Sequence, residues 1–177
     1  MLTQSLGGSW QFCQSGATDW FPAQVPGGVH TDLLALGRIP DPFVADHELT
    51  VQWVAESDWE YQKSFLVEPG MLAEDRIFLV FDGLDTLADV YLNGHHLGHV
   101  ENMFRRWEWQ VRELLLPGEN TLKIMFGAPV RYIRDRQAQF PLVGGGDIPG
   151  GPHLRKAPCH WGWDWGPKLP PIGLWKD

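Results

Sequence analysis

The chain has 177 residues, 44% of them apolar, and carries 14 Lys+Arg against 22 Asp+Glu for a formal charge of −8. That length supplies one core of ordinary size, and the acidic balance offers no clustered cations to hold a phosphate backbone or an anionic bilayer, so nucleic acid and membrane are excluded as first-choice partners. The 20 Gly, 14 Pro and 10 Trp exceed ordinary usage, which places the surplus in turns and in either a β-rich aromatic core or a surface that stacks on flat ligands.

The first Lys or Arg is Arg38, and no apolar run approaches the roughly 18 residues of a membrane span. Asn93, Asn102 and Asn120 are followed at the second position by His95, Phe104 and Leu122, so none is a glycosylation acceptor. A cytoplasmic location is the expectation. Cys13 and Cys159 have no CxxC partner, which removes a zinc ribbon and a disulfide framework. Reduced, buried thiols are expected, with one bridge between them as the alternative.

In chain order, His30–Leu36 reads as a short helix, with Thr31 or Asp32 as N-cap and Gly37 as its stop. From Trp59 to Val67, apolar Trp59, Tyr61, Phe65 and Val67 oppose Glu60, Gln62 and Ser64, the pattern of a strand with one buried face. Arg76–Asp82 is apolar on both faces and is expected as a central strand. Ala88–Leu92, Asn93-Gly94 and His95–Val100 form a hairpin signature, because Asn-Gly tolerates the positive φ angles of a type I′ turn.

Trp107, Trp109 and Val111 share one strand face, and Leu122, Ile124 and Phe126 share another after the Pro117–Asn120 turn. Arg131–Ala138 is a second, short helical turn. Beyond Phe140 the chain becomes an irregular Gly/Pro/Trp-rich segment over 141–177. Short alternating runs at even spacing indicate an all-β sandwich or barrel with one or two short helices, occupying 1–177 as a single domain.

The segment Arg155–Pro167 concentrates the candidate chemistry. Glycines flank Trp163-Asp164-Trp165, so the backbone can turn tightly and present rings and a carboxylate together. Indole faces suit the C–H faces of sugar rings, and an ionised Asp accepts strong hydrogen bonds from hydroxyls. A Trp-rich plug of the core, with Asp164 capping backbone amides, fits the same composition. His95, His96 and His99 would need a helix to share a metal-binding face, and the hairpin pattern denies them one, so no metal is assigned. Gly144–Gly151 departs from the phosphate-loop pattern at Pro152 and reads as a flexible rim. Asp82, Asp85 and Asp89 could be drawn as a glycosidase pair, yet Asp82 and Asp85 flank Gly83 in a turn that favours Asp, and structural roles are expected.

Several separated stretches, namely Val25–Leu34, Arg38–Phe43, the Trp53/Trp59/Tyr61 run, Phe81–Thr86, Leu92–Gly94, Asn102–Phe104 and Arg155-Lys156 through Gly162–Pro167, together resemble the N-terminal domain of β-mannosidases in glycoside hydrolase family 2. The resemblance implies a jelly-roll, galactose-binding-domain-like β-sandwich beside a catalytic (β/α)₈ barrel that is absent from this chain, since such a barrel needs about 200 residues of its own. It implies a retaining exo-glycosidase acting on non-reducing β-D-mannosyl residues, with both catalytic Glu residues on the barrel, no catalytic residue and no cofactor here, and an isolated domain without activity. By similarity, Trp163 and Asp164 bind the terminal mannose of β-mannoside glycans, and the other domains of the same polypeptide are the partners. A free-standing jelly-roll carbohydrate-binding module, or the equivalent domain of a β-galactosidase or β-glucuronidase, is the alternative.

Overall fold

The computed structural model describes residues 2–176. Its main layer is a six-stranded antiparallel sheet built from β1 (Gly8–Gln14), β2 (Phe21–Val25), β3 (Trp59–Leu66), β6 (Leu87–Leu92), β7 (His95–Glu101) and β9 (Glu119–Phe126), in the order β2-β1-β3-β9-β6-β7. Two short pairs complete the strands: β4 (Phe78–Phe81) with β8 (Trp107–Gln110), and β5 (Leu84–Asp85) with β10 (Gly173–Leu174). One cluster joins Phe12, Tyr61, Val90, Leu122 and Ile124 of the large sheet to Leu79 and Phe81 of β4, so the core is sandwiched between layers. The expected all-β sandwich is what the chain forms.

Alternation explains the long strands. Asn120, Leu122, Ile124 and Phe126 of β9 point inward while Glu119, Thr121 and Met125 are exposed, and β3 and β6 flank it in register, with Tyr61 and Val90 both opposite Ile124. The hairpin between β6 and β7 turns at Asn93 and Gly94, whose φ values of 51° and 80° are those of a type I′ turn. Asn93 also locks the turn to its neighbours. Its side chain donates to Leu114 O and Asn120 Oδ1 at 2.8 Å and accepts from Thr121 N–H at 2.8 Å.

Several expectations need correction. The Arg76–Asp82 run is not a central strand: among the described residues β4 pairs with β8 alone, and Phe78 is 49% exposed. Its apolar outer face is left uncovered by the smaller layer. The first helix, α1 (Val29–Ala35), is capped at Gly28 rather than at Thr31 or Asp32. Thr31 Oγ1 accepts from Gly28 N–H at 3.1 Å, while Asp32 turns inward and is buried. Cys13 is buried as expected, but Cys159 is exposed, and both are free thiols. Two one-turn helices, α2 (His47–Thr50) and α3 (Trp53–Glu56), had no counterpart among the expected elements, and the second expected helix extends to α4 (Pro129–Gln139), started by Pro129. No helix among the described residues is long and apolar enough to cross a membrane.

Candidate functional site

The site is carried by the loop that leaves the body at Lys156 and returns at Pro171. Within it, Trp163 N–H donates to Gly166 O at 3.2 Å and Gly166 N–H to Trp163 O at 3.1 Å. This closes a minimal hairpin with Asp164 and Trp165 at its tip. Gly162 enters it with φ of 89°, and a Cβ there would lie 2.5 Å from Lys168 Cγ, so only glycine fits.

The three indoles of the motif have different fates. Trp161 is 1% exposed and packs with Leu87, Ile133 and Leu154 in a second small core. Trp163 is 42% and Trp165 72% exposed. The plug is therefore Trp161 alone, and the other two rings stand clear. Asp164 is also exposed, and among the described residues no hydrogen bond or ion pair occupies its carboxylate. An uncommitted carboxylate beside an uncovered indole is what recognition of a hydroxyl-bearing ring requires.

The base of the loop is firmly tied. Asp147 and Ile148 donate their N–H groups to Trp161 O at 3.1 and 3.0 Å, and a Cβ on Gly146 would approach Trp161 Cβ and Gly162 O within 2.8 Å. The Gly144–Gly151 segment, expected as a flexible rim, is thus a collar pressed against the plug. On the far side, Gln52 Nε2 donates to Lys168 O at 2.8 Å. Phe43, ahead of α2, Leu49 of α2 and Trp53 of α3 are exposed apolar side chains.

Below the loop lies a cluster of charge that sequence reasoning did not single out. Lys156 Nζ, fully enclosed, donates to Asp85 Oδ1 at 2.5 Å, to Pro171 O at 2.7 Å and to Thr86 Oγ1 at 3.4 Å. Asp85 is 2% exposed, and Thr86 Oγ1 also donates to its Oδ1. Burial pushes the Lys156 ammonium pKa down, against the pull of Asp85. His160 Nδ1 sits 4.0 Å from Asp85 Oδ2, enclosed and without a hydrogen-bond partner. Burial and then the Lys156 charge lower its pKa. The same two causes push His30, at the start of α1, down to about 4. A signal existed: an Asp enclosed between Leu84 and Leu87 has to find a cation or donors when both leucines are buried.

The remaining candidates fall elsewhere. His96 Nε2 and His99 Nδ1 contact the two oxygens of Asp89 at 2.9 and 3.2 Å on the exposed β6–β7 hairpin. Among the described residues no group of three or more His, Cys, Asp or Glu is arranged to hold a metal ion. Asp82 lies on the surface, 3.6 Å from Arg106 Nε, so Asp82, Asp85 and Asp89 are separately engaged and do not form a facing carboxylate pair.

Residues 10–176 match the family model described as the glycosyl hydrolase 2 galactose-binding domain-like domain. The chain belongs to that family. It is 40% identical to β-mannosidase B of Aspergillus terreus, over 98% of this chain and 22% of that protein. It is 34% identical to the β-mannosidase of Capra hircus, over 100% of this chain and 21% of that protein. Its fold superposes on the crystal structure of β-D-mannosidase from Dictyoglomus thermophilum with a TM-score of 0.91 and 42% identity, over 97% of this chain and 21% of that one. A β-D-glucuronidase structure from the same organism, at 22% identity and a TM-score of 0.53, shares the fold alone. This glycosyl hydrolase 2 domain therefore spans about a fifth of the length of the curated relatives it matches.

Proposed function

We propose that this domain supplies the terminal-sugar wall of a β-mannosidase substrate site. Asp164 accepts hydrogen bonds from the hydroxyls of a non-reducing β-mannosyl residue, and the Trp163 indole lines the apolar face of the ring. Bond cleavage, by a pair of carboxylates in a retaining double displacement, belongs to the remainder of a longer polypeptide. The observation that carries this reading is the hairpin itself: Asp164 is exposed and uncommitted beside two uncovered indoles, on a loop whose base is locked into the body. The exposed apolar side chains Phe43, Leu49 and Trp53 suit contact with that remainder. The five-fold greater length of the β-mannosidases it resembles supports a domain over a free-standing lectin.

In the full-length polypeptide, Asp164→Ala lowers kcat/KM toward an aryl β-mannoside by about 2–4 kcal/mol, the loss of a charged hydrogen-bond set in a dry pocket. Unchanged kinetics would remove Asp164 from the site. This domain alone leaves the same substrate uncleaved, and an enzyme-like rate from it would place the catalytic carboxylates within these 177 residues. Calorimetry with mannose separates the half-site from a complete lectin site, because only the latter binds measurably without the rest of the polypeptide.

A further inference from the structure

We infer that Lys156 is a positioning residue for the sugar-binding hairpin, holding Trp163 and Asp164 in place through the buried carboxylate of Asp85. The inference rests on the reading of Asp164 as a sugar ligand. It starts from connectivity. Lys156 is the first residue of the loop and Pro171 closes it, yet the Lys156 ammonium bonds Pro171 O at 2.7 Å across a separation of 15 residues. The two ends of the loop are therefore clasped by one side chain. The same ammonium is anchored to Asp85 and Thr86, so the clasp is fixed to the β5 edge of the body.

Three N–H donors meet three acceptors from two separate segments, which specifies direction as well as distance. A buried ion pair is a poor device for stability, because an apolar pair of similar volume is often as good or better. What this pair does that an apolar pair cannot is set the angle at which the loop departs. Small errors there are amplified at the tip: a misplacement of 1 Å at a binding group can cost about 10²-fold in rate. His160, inside the loop, lies close to the same carboxylate without bonding it, its enclosed Nδ1 4.0 Å from Asp85 Oδ2. Asp85 thus faces the loop at Lys156 and again at His160, on the approach to Asp164.

The test uses the paired variant Asp85→Asn/Lys156→Met, which removes both charges while keeping side chains of similar volume, and so avoids stranding one buried charge. Hydrogen exchange and kinetics with an aryl β-mannoside are both followed in the full-length polypeptide. If Lys156 positions the hairpin, the Gly162, Trp163 and Gly166 amides exchange about tenfold faster or more while those of Tyr61 and Ile124 keep their wild-type rates. KM then rises, and kcat/KM falls by about 10–10²-fold. Wild-type exchange at the hairpin with wild-type kinetics overturns the inference. So does uniform acceleration at all amides with KM unchanged, since that marks a purely structural pair. Asp164→Ala serves as the separate control. Wild-type kinetics there, with faster hairpin exchange in the paired variant, defeats the sugar reading and leaves the clasp standing. A loss in Asp164→Ala with no effect of the paired variant defeats the clasp alone.

Discussion

Tyr61 donates its hydroxyl hydrogen to Asp32 Oδ2 across 2.7 Å in the interior of the sandwich. The other carboxylate oxygen accepts from Gln24 N–H at 3.1 Å. One side chain of α1 thereby ties the helix to both β2 and β3. Burial raises the Asp32 pKa, opposed by these two hydrogen bonds. Tyr61→Phe removes one donor and leaves the carboxylate enclosed, so the domain should lose about 1.5–3 kcal/mol in urea unfolding with an unchanged m-value. A loss below about 0.5 kcal/mol would show that the carboxylate is satisfied without the hydroxyl.

Stability should fall on mild acidification because of His30. Its pKa is 6.5 in an open chain and is lowered to about 4 in the fold, first by burial and then by the Lys156 charge. The unfolded chain therefore takes up the proton first as pH falls. The stabilisation from keeping this imidazole neutral is complete above pH 6.5 and drains away down to about pH 4. It amounts to about 3 kcal/mol at most, and His160 shifts in the same direction. Thermal unfolding between pH 7.5 and 4 should show a steeper decline for the wild type than for His30→Gln. Parallel curves would take His30 out of the account.

Lys156→Met alone should be far more damaging than its pairing with Asp85→Asn. The single change strands the Asp85 carboxylate in the interior and should cost about 3–5 kcal/mol in chemical denaturation, whereas neutralising both partners should recover most of that. Equal losses in the two variants would mean that Thr86 and backbone groups already satisfy Asp85.

The parts of this fold legible in the sequence are those whose causes are local. Asn93-Gly94 demands positive φ whatever surrounds it, and the turn forms there. Trp107 and Trp109 alternate with Glu108 and Gln110 because the pleat imposes a period of two. Where the cause is a distant segment, legibility ends. Phe78 looks like a core residue, yet it lies on the outer face of the two-stranded β4–β8 layer, and only the layer's inner face, with Leu79 and Phe81, is packed. Asp85 looks like a turn residue, and only Lys156, 71 positions away, makes it a buried anion. The aromatic and acidic content of the candidate site was readable at Trp163 and Asp164, but not which indole would be the plug. That choice is made by Gly162 reversing the chain and by the second core receiving Trp161.

Gly28 is another residue whose reason lies far along the chain. Its φ of −167° suits any residue, so the constraint is steric: a Cβ there would lie 2.8 Å from Ile172 O. That carbonyl accepts from Val29 N–H at 2.8 Å, and Gly27 N–H donates to Leu174 O at 2.8 Å. The returning segment is thus laid directly over the Gly-Gly pair. Gly28→Ala should cost about 1–3 kcal/mol by overpacking and should speed amide exchange at Gly27 and Val29 before the rest of the sheet. If those two amides keep their protection, the segment can shift without releasing its hydrogen bonds.

Trp161 and Trp165 offer a direct comparison of one residue type in two roles, four positions apart in the chain. Trp161 fills the space between Leu87, Ile133 and Leu154, and Gly151 lies so close that a Cβ on it would be 2.6 Å from the indole Cδ1. Trp161→Ala leaves a cavity that this glycine collar cannot collapse into without breaking the bonds from Asp147 and Ile148. The expected loss is about 3–5 kcal/mol. Trp165 buries little in this domain, so Trp165→Ala should change unfolding free energy by no more than about 0.5 kcal/mol. On the proposed reading, any larger effect is expected only in the full-length polypeptide. A large loss from Trp165→Ala in this domain would mean that the hairpin folds back onto the body in solution, and the open presentation of Asp164 would go with it.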